Sequence, residues 1–267
     1  MEKQRLDLLM VQKGLAPSRE KAKAFILSGQ VLADGKAANK AGETFPLNTE
    51  ITLKAEPCPY VSRGGLKLEK AMAEFSLSLE NKICMDIGAS AGGFTDCMLQ
   101  NGASMVYAVD VGYGQLDWKL RNDERVIVME RTNARYLTEK DIPLQPDFAS
   151  VDVSFISLRL IFPALARIGV KEVVTLIKPQ FEAGREKVGK RGVVRDACVH
   201  EEVIETVLKG AREYGYAAQH LSFSPIKGPN GNIEYLAHYL FGAEEQEIPT
   251  KAVVQSAHAL LSSRVQP

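Results

Sequence analysis

The sequence predicts an α/β protein of two domains, in which a parallel sheet with helices on both faces follows a small N-terminal α+β domain. Three observations support this prediction. The chain has 267 residues, more than the roughly 100–150 residues of a common single domain. From Lys82 onward, short apolar runs alternate with helical patterns, as they do in parallel sheets. A glycine-rich turn joins the first of these runs to a helix.

The small domain is predicted to occupy residues 1–58. It contains two short helical patterns, the second with Ser18 as its N-cap and Gly29 as its stop. Asp34-Gly35 predicts a tight turn between strand-like segments. The two predicted strands are residues 31–33 and 51–53. Residues 54–61 contain two prolines and are predicted to be a linker.

The larger domain is predicted to occupy residues 59–245, followed by a tail at 246–267. Its first five strands are apolar runs of the fully buried type, predicted at 83–87, 105–109, 126–129, 148–151 and 173–177. Its helices are predicted at 64–76, 92–101, 157–168 and 197–214. Two late strands, 217–223 and 234–241, have no long helix between them and predict a hairpin at one edge of the sheet. The tail contains a possible short helix at 250–262.

The overall charge gives no indication of a nucleic-acid partner. The chain has 33 Lys and Arg against 33 Asp and Glu, a formal net charge of +0 and a pI of about 6.9. Any RNA binding must therefore depend on a local basic surface rather than on the field of the whole molecule.

The spacing of cysteine and histidine predicts no metal site. The four cysteines form no CxxC pair, and the four histidines form no HxxxH or HExxH pair. Few, scattered cysteines also fit a reducing compartment. The N-terminal apolar run, residues 8–11, is too short for a signal peptide, and no segment approaches the roughly 18 apolar residues of a membrane span. We therefore expect a cytoplasmic protein.

The strongest local signal is the turn DIGASAGGF at residues 86–94. Its glycines allow a nucleotide-like ligand to approach the backbone where a helix begins. The spacing is GxxxGG rather than the GxGxxG of dinucleotide folds, so a pyrophosphate fits less well. S-adenosylmethionine has no phosphate, and an acid at the strand tip suits its cationic groups. The alternative is a plain glycine-rich turn. The candidate cofactor-binding residues here are Asp86, Gly88, Ser90, Gly92, Gly93 and Phe94.

Two further residues are candidates for binding the adenosine part of that cofactor. Asp110 ends the next strand, about 20 residues further on, where doubly wound nucleotide-binding folds place an acceptor for ribose hydroxyls. Asn133 follows the third strand and could hydrogen-bond the adenine region, although a plain turn residue explains it equally well.

Four charged residues are candidates for catalysis. Asp152 and Lys178 follow successive strands, at the carboxyl ends where ligands bind in such sheets. Lys67 precedes the glycine-rich turn, and Glu234 begins the last predicted strand. Each alone is more simply a solvated charge, but together they form a constellation of two lysines and two acids.

The order Lys67, Asp152, Lys178, Glu234 resembles the Lys-Asp-Lys-Glu tetrad of FtsJ-like ribose methyltransferases. The segments SRGGLKL, DIGASAGGFTD, VDVSF, IKPQFE and GNIEY are similar to those of the TlyA, or haemolysin A, branch of that family. The resemblance extends over nearly the whole chain. The segment PSREKAKAFILSGQVLADGK resembles an S4 RNA-binding domain, and this fusion is the arrangement of the branch.

The resemblance implies a Rossmann-like fold and transfer of a methyl group from S-adenosylmethionine to a ribose 2′-OH, with cytidines of ribosomal RNA as the expected substrate. A ribose hydroxyl is a poor nucleophile, and Lys178, if neutral, could accept its proton. Asp152 and Glu234 would then orient the lysines, and Lys67 would hold the hydroxyl or a nearby phosphate. Which lysine is the base stays open at this point.

Two basic surfaces are candidates for contact with RNA. In the small domain the candidates are Arg5, Lys13, Arg19, Lys21, Lys23 and Lys36, with a solvated helix face as the alternative. After Lys178, the cations Lys187, Lys190, Arg191 and Arg195 alternate with glycines. They predict a mobile loop that closes on substrate, with a disordered surface loop as the alternative.

Three other functions compete with this hypothesis. A non-enzymatic RNA-binding or ribosome-assembly factor is disfavoured because all four tetrad positions are filled. A pore-forming haemolysin is disfavoured because the sequence shows neither a signal peptide nor a long apolar helix. An NAD-dependent dehydrogenase is disfavoured by the GxxxGG spacing.

Overall fold

The computed structural model describes residues 3–27, 29–53, 58–228 and 230–262. The chain divides into two compact units, Met1–Pro59 and Tyr60–Pro267. The predicted linker at 54–61 lies partly outside the described residues, because 54–57 are not among them. Its last two residues belong to the larger unit.

The described residues of the smaller unit form two helices and five short strands. They are β1 (Lys3–Arg5), α1 (Leu6–Gln12), α2 (Arg19–Leu27), β2 (Val31–Ala33), β3 (Lys36–Ala37), β4 (Thr44–Pro46) and β5 (Ile51–Leu53). β1 pairs with β4, and β2 lies between β3 and β5. As predicted, the Ser18 side chain accepts a hydrogen bond from Lys21 N at the start of α2. Asp34 and Gly35 both have positive φ, which suits the tight β2–β3 turn.

The larger unit contains a seven-stranded sheet. Its strands are β6 (Ile83–Ile87), β7 (Met105–Val109), β8 (Val126–Met129), β9 (Phe148–Val151), β10 (Glu172–Ile177), β11 (Tyr216–Phe223) and β12 (Tyr235–Phe241). The order across the sheet is β11-β12-β10-β9-β6-β7-β8. β12 is antiparallel to both of its neighbours, and the other described pairs are parallel. The predicted α/β fold class with a hairpin at the sheet edge is confirmed.

β6, β7, β9 and β10 are apolar runs because both faces of the sheet are covered there. The prediction of a fully buried strand is wrong for β8, which lies at the sheet edge and has only its first residue buried. All four residues of β9 are buried, and so are the last four residues of β6 and β7. β6 lies between β7 and β9, so chain order reverses beside it. In open α/β sheets, ligands bind at the carboxyl ends of the strands at such a reversal.

The helices of this unit are α3 (Gly65–Glu74), α4 (Gly93–Gln100), α5 (Trp118–Arg121), α6 (Phe162–Ile168), α7 (Pro179–Glu182), α8 (Ala197–Arg212) and α9 (Thr250–Ser262). The helix predicted at 157–168 is divided into a 3-10 turn, Leu158–Leu160, and α6. The reason is Pro163, which lacks an N–H and fits only the first turn of an α-helix. Gly169, at φ +83°, ends α6.

The C-terminal helix is part of the larger unit, although the sequence alone set residues 246–267 apart as a tail. α9 packs against α8 and β11. Its residues Val254, Ala257 and Leu261 are buried in the same core as the sheet. This three- to four-residue spacing is one face of a helix.

Candidate functional site

The glycine-rich turn after β6 is shaped by contacts within the protein. Gly88 has a φ of +89°, and a Cβ there would lie 2.5 Å from the backbone oxygen of Asp152. A Cβ on Gly93 would lie 2.8 Å from the backbone nitrogen of Gly65, and one on Gly92 would lie 2.8 Å from the Leu116 side chain. The three glycines therefore allow close packing of neighbouring segments. Of the three, only Gly88 also lines the cleft described below.

Asp86 is fully buried beneath that turn. Its Oδ2 accepts hydrogen bonds from the backbone N and the hydroxyl of Thr95 at 2.9 and 2.7 Å, and its Oδ1 accepts one from Ser150 at 3.1 Å. Burial raises the pKa of this carboxyl to about 6 against the opposing effect of these bonds. Phe94 is also buried. Asp86 and Phe94 therefore shape the start of α4 from within the core.

This arrangement disfavours a pyrophosphate at the N-terminus of α4. A phosphate binds a helix start through free backbone N–H groups, but the Thr95 N–H is already bonded to Asp86. A phosphate there would also meet the buried carboxyl of Asp86. The geometry therefore agrees with the sequence argument against a dinucleotide.

A cleft of about 760 Å³ opens at the carboxyl ends of β6, β7 and β9, within the range of small-molecule sites. Gly88, Ser90, Asp110 and Asn133, four of the predicted cofactor-binding residues, line it. Gly92, Gly93, Phe94 and Asp86 do not.

Two of the cleft residues also hold its loops in place. Asp110 accepts hydrogen bonds from Ser90 N at 2.8 Å and from Gly112 N at 2.6 Å. Each carboxylate oxygen can accept more than one hydrogen bond, so Asp110 can also accept hydrogen bonds from ribose hydroxyls. Asn133 caps a 3-10 turn by accepting from Arg135 N. Both functions considered for Asn133, turn residue and cleft residue, are therefore compatible with its position.

The four predicted catalytic residues lie together. Lys67, from α3, donates a hydrogen bond to Glu234 Oε2 at 2.8 Å and lies 3.6 Å from Asp152 Oδ2. Lys178 Nζ lies 2.5 Å from Asp152 Oδ1 and donates to Ser154 Oγ at 3.0 Å. The contact with Oδ1 is one of charge and not an aligned hydrogen bond. Asp152 thus joins two lysines that are separated by more than 100 positions in the chain.

The two lysines differ in their surroundings. Burial lowers the pKa of the Lys67 ammonium, but the carboxylates of Asp152 and Glu234 outweigh burial, so its pKa lies above the usual value. Lys67 therefore remains a cation near neutral pH. Lys178 faces one carboxylate and one hydroxyl instead of two carboxylates.

The tetrad lines a second cleft of about 500 Å³, which shares Asp152, Ser154 and Phe155 with the first. Phe155 has a positive φ of 63° and is 90% exposed, and its ring lies 4.8 Å from that of Phe181. The two clefts therefore meet at Asp152, Ser154 and Phe155, which allows a ligand in one to react with a ligand in the other.

Ser154, Gln180 and Asn232 are among the uncharged residues of the second cleft that sequence reasoning missed. Gln180 donates to Glu234 at 3.4 Å. Each lies beside a predicted catalytic residue in the segments VDVSF, IKPQFE and GNIEY. Proximity to those residues was the signal that could have identified them.

In the smaller unit, two of the predicted RNA-binding cations pair with a buried acid. Arg5 and Arg19 donate to the Asp7 carboxylate at 3.0 and 2.9 Å, and these bonds hold its pKa well below the usual range. Arg5 and Arg19 thus stabilise α1 and α2, although their guanidinium groups stay partly exposed.

Two features of the described residues concern metal binding and membrane insertion. Within them, no His, Cys, Asp and Glu side chains cluster in threes or more so as to hold a metal ion. No helix in the same part of the chain is long and apolar enough to cross a membrane.

Comparison with known proteins gives matches along nearly the whole chain. The FtsJ-like methyltransferase family model matches residues 60–241, and the S4 domain model matches residues 4–51. The YqxC protein of Bacillus subtilis (strain 168) is 53% identical, over 98% of this chain and 97% of the relative. The 16S/23S rRNA (cytidine-2'-O)-methyltransferase TlyA of Mycobacterium tuberculosis (strain CDC 1551 / Oshkosh) is 40% identical, over 97% of each chain. A solved structure from Streptococcus thermophilus, which carries the name hemolysin, is 52% identical with a TM-score of 0.78, over 98% of each chain.

Proposed function

Because the chain belongs to the FtsJ-like methyltransferase family and carries an S4 domain, we propose that it methylates the ribose 2′-OH of a cytidine in ribosomal RNA with S-adenosylmethionine. The family match and the B. subtilis relative confirm the family resemblance that the sequence motifs indicated. The observation that carries the proposal is that the cleft lined by Lys67, Asp152, Lys178 and Glu234 meets the first cleft at Asp152. The relative from M. tuberculosis, named for this reaction, supports the choice of substrate.

The volume and lining of the first cleft support S-adenosylmethionine as its ligand. Asp110 and Ser90 line it with hydrogen-bonding groups, and the Thr95 N–H near the start of α4 is already bonded to Asp86, which suits a cofactor that has no phosphate. When bound, the cofactor supplies an electrophilic methyl group on a sulfonium. In our proposal Gly88, Ser90, Asp110 and Asn133 contact it. Asp86, Gly92, Gly93 and Phe94 keep the turn in shape.

The second cleft then receives the ribose. Lys178 Nζ acts as the general base and takes the proton of the 2′-OH. Asp152 orients Lys178 and also attracts Lys67. Lys67, kept cationic by two carboxylates, stabilises the negative charge that develops on the ribose oxygen. Holding both reactants in one geometry contributes much of the rate.

We predict that Lys178→Ala lowers kcat by about 10²- to 10⁴-fold, the usual contribution of a general base. Lys178→Arg should recover little, because a guanidinium stays protonated at any useful pH. Lys67→Arg should retain more activity than Lys67→Ala, because Lys67 is assigned a charge and not a proton transfer. Methyl transfer to unmethylated ribosomal subunits measures these effects, with calorimetric affinity for S-adenosylmethionine as the control for each variant.

The outcomes separate the competing functions. Wild-type turnover in Lys178→Ala would remove the tetrad from the mechanism and favour a non-catalytic RNA-binding or assembly factor. Substantial activity in Lys178→Arg would make Lys178 an electrostatic clamp. Binding of NAD in place of S-adenosylmethionine would overturn the cofactor assignment.

A further inference from the structure

Between α7 and α8, residues 184–195 concentrate positive charge in a chain whose net charge is +0, and the acid Asp196 follows them as the N-cap of α8. We call this segment the basic loop. It contains five cations and the acid Glu186. The cations are Arg185, Lys187, Lys190, Arg191 and Arg195. The proposed reaction uses none of them.

Four of these cations surround a concave surface of about 580 Å³, which they line together with Gly189 and Val193. Lys187 is paired with Glu202 at 2.5 Å. Lys190, Arg191 and Arg195 are exposed, and no ion pair joins any of them to another described residue. A concave surface with three unpaired cations and no acidic lining attracts anions.

The basic loop also borders the tetrad cleft. Val188 and Gly192 line that cleft, whereas Lys187, Gly189, Lys190, Arg191 and Val193 line the basic surface. The same short segment therefore separates the two cavities. A ribose within an RNA strand carries a phosphate on either side, so a ribose in the tetrad cleft brings phosphates to this border.

A buried amide holds the basic loop in place. Asn232, which is 2% exposed, accepts a hydrogen bond from Val194 N at 3.0 Å and donates one to Gly192 O at 2.8 Å. His200 Nε2 lies 3.0 Å from Val194 O. Asn232 is two residues from Glu234, so the loop and the tetrad are attached to one short segment. Solubility alone would not require a charged loop to be anchored in this way.

We propose that Lys190, Arg191 and Arg195 bind the phosphates of the RNA strand that flank the target ribose, and that Asn232 is a positioning residue for this phosphate-binding surface. The proposal rests on the proposed RNA substrate of the tetrad. It assigns the larger unit its own backbone contact with RNA, separate from the S4 domain.

The test compares two triple variants of the full chain with equal loss of charge. Lys190→Gln/Arg191→Gln/Arg195→Gln removes the unpaired cations of the basic loop. Lys171→Gln/Lys209→Gln/Lys251→Gln is the control, because these lysines are exposed and line neither the tetrad cleft nor the basic surface. The probe is unmethylated ribosomal subunits, with affinity measured between 50 and 200 mM salt, on the order of the range where phosphate contacts are resolved.

We expect the loop variant to bind the subunits at least about tenfold more weakly than wild type and to lose about 2 to 3 units of salt slope, as three phosphate contacts require. KM for the subunits should rise in parallel, while affinity for S-adenosylmethionine and the melting temperature stay unchanged. Equal affinity and slope in the loop variant and the control would overturn the proposal.

Asn232→Ala tests the positioning role. It should raise KM for the subunits and reduce the salt slope, with a smaller effect on kcat and no effect on S-adenosylmethionine affinity. A merely structural role would lower the melting temperature but leave the salt slope of the folded protein unchanged. That second pattern would remove Asn232 from the proposal.

Failure of the proposed function looks different from failure of this inference. If the wild-type chain transfers no methyl group to the subunits, the RNA substrate itself is wrong. If the wild-type chain methylates and the loop variant methylates equally well with the same KM, only the phosphate-binding surface is wrong.

Discussion

At the scale of single residues, Asp86 shows how burial changes what a motif residue does. The first residue of DIGASAGGF suggested an acid that faces a cationic ligand. In the structure all of its hydrogen bonds are with Thr95 and Ser150, and burial raises its pKa to about 6. Asp86 therefore connects β6, α4 and β9 beneath the cleft, and its ionisation affects the stability of the fold.

We predict a pH-dependent stability difference between wild type and Asp86→Asn. In the unfolded chain an aspartate has a pKa near 3.9. Between about pH 4 and 6 the folded chain therefore binds more protons than the unfolded chain does. The free energy of unfolding of wild type therefore falls as pH rises through this window. Asn cannot ionise, so the free energy of unfolding of Asp86→Asn relative to that of wild type should increase by on the order of 3 kcal/mol from pH 4 to pH 7. Urea denaturation at several pH values measures this difference.

Asn fits the site chemically, because its oxygen can accept both bonds from Thr95 while its amide donates to the Ser150 hydroxyl. Asp117→Asn, at an exposed helix cap where Asn serves equally well, controls for the change of carboxylate to amide. A difference between wild type and Asp86→Asn that stays constant with pH would contradict a raised pKa.

At the scale of elements, the packing of α9 shows that the larger unit includes the C-terminal helix. Val254, Ala257 and Leu261 join the core formed by the sheet and α8. His258 Nε2 lies 3.1 Å from His200 Nδ1, and His200 in turn lies beside Tyr235. The helix is therefore connected to the segment that carries Glu234 through one histidine of α8.

We predict that Val254→Ala destabilises the larger unit by about 2 kcal/mol, because it leaves a cavity between α9 and the sheet. Gln255→Ala, the adjacent exposed position, should change stability by less than about 0.5 kcal/mol. Thermal and urea unfolding of both variants measure the contrast. Equal effects of the two substitutions would show that α9 does not contribute to the core.

At the scale of the whole molecule, the two units meet in sequence at Pro59 and Tyr60. Tyr60 and Val61 are fixed in the larger unit. The Tyr60 hydroxyl donates to Glu69 at 2.9 Å, and Val61 N donates to Asp96 at 2.8 Å. A Cβ on Gly65 would lie 2.7 Å from the Cβ of Tyr60, so this packing requires a glycine.

We predict that residues 60–267 alone fold and bind S-adenosylmethionine but lose most affinity for ribosomal subunits, because the S4 domain is removed. A fragment that begins at residue 62 should be less stable by roughly 3 kcal/mol, since it lacks a buried aromatic ring. Calorimetric binding and unfolding of the two fragments and the full chain test this. If residues 60–267 methylate the subunits as well as the full chain does, the N-terminal unit is not an RNA anchor.

The sequence by itself determined the α/β class and the positions of the strands in the larger unit. These follow from local rules: β6 to β10 are apolar runs of strand length, and Gly29 and Gly169 end helices by their freedom at positive φ. The four candidate catalytic residues were selected by their positions near strand ends and the glycine-rich turn, and the family resemblance then grouped them as a tetrad; their catalytic role stays a prediction.

Only the tertiary structure decided which residues of the glycine-rich turn line the cleft and which pack against neighbouring segments. It also placed Lys67 between two carboxylates, buried Asp86, assigned α9 to the core, and attached the basic loop to Asn232. The physical reason is that burial and charge pairing depend on segments far apart in the chain. Lys67 and Glu234 are 167 positions apart, a separation over which hydrophobic periodicity and turn rules predict no contact.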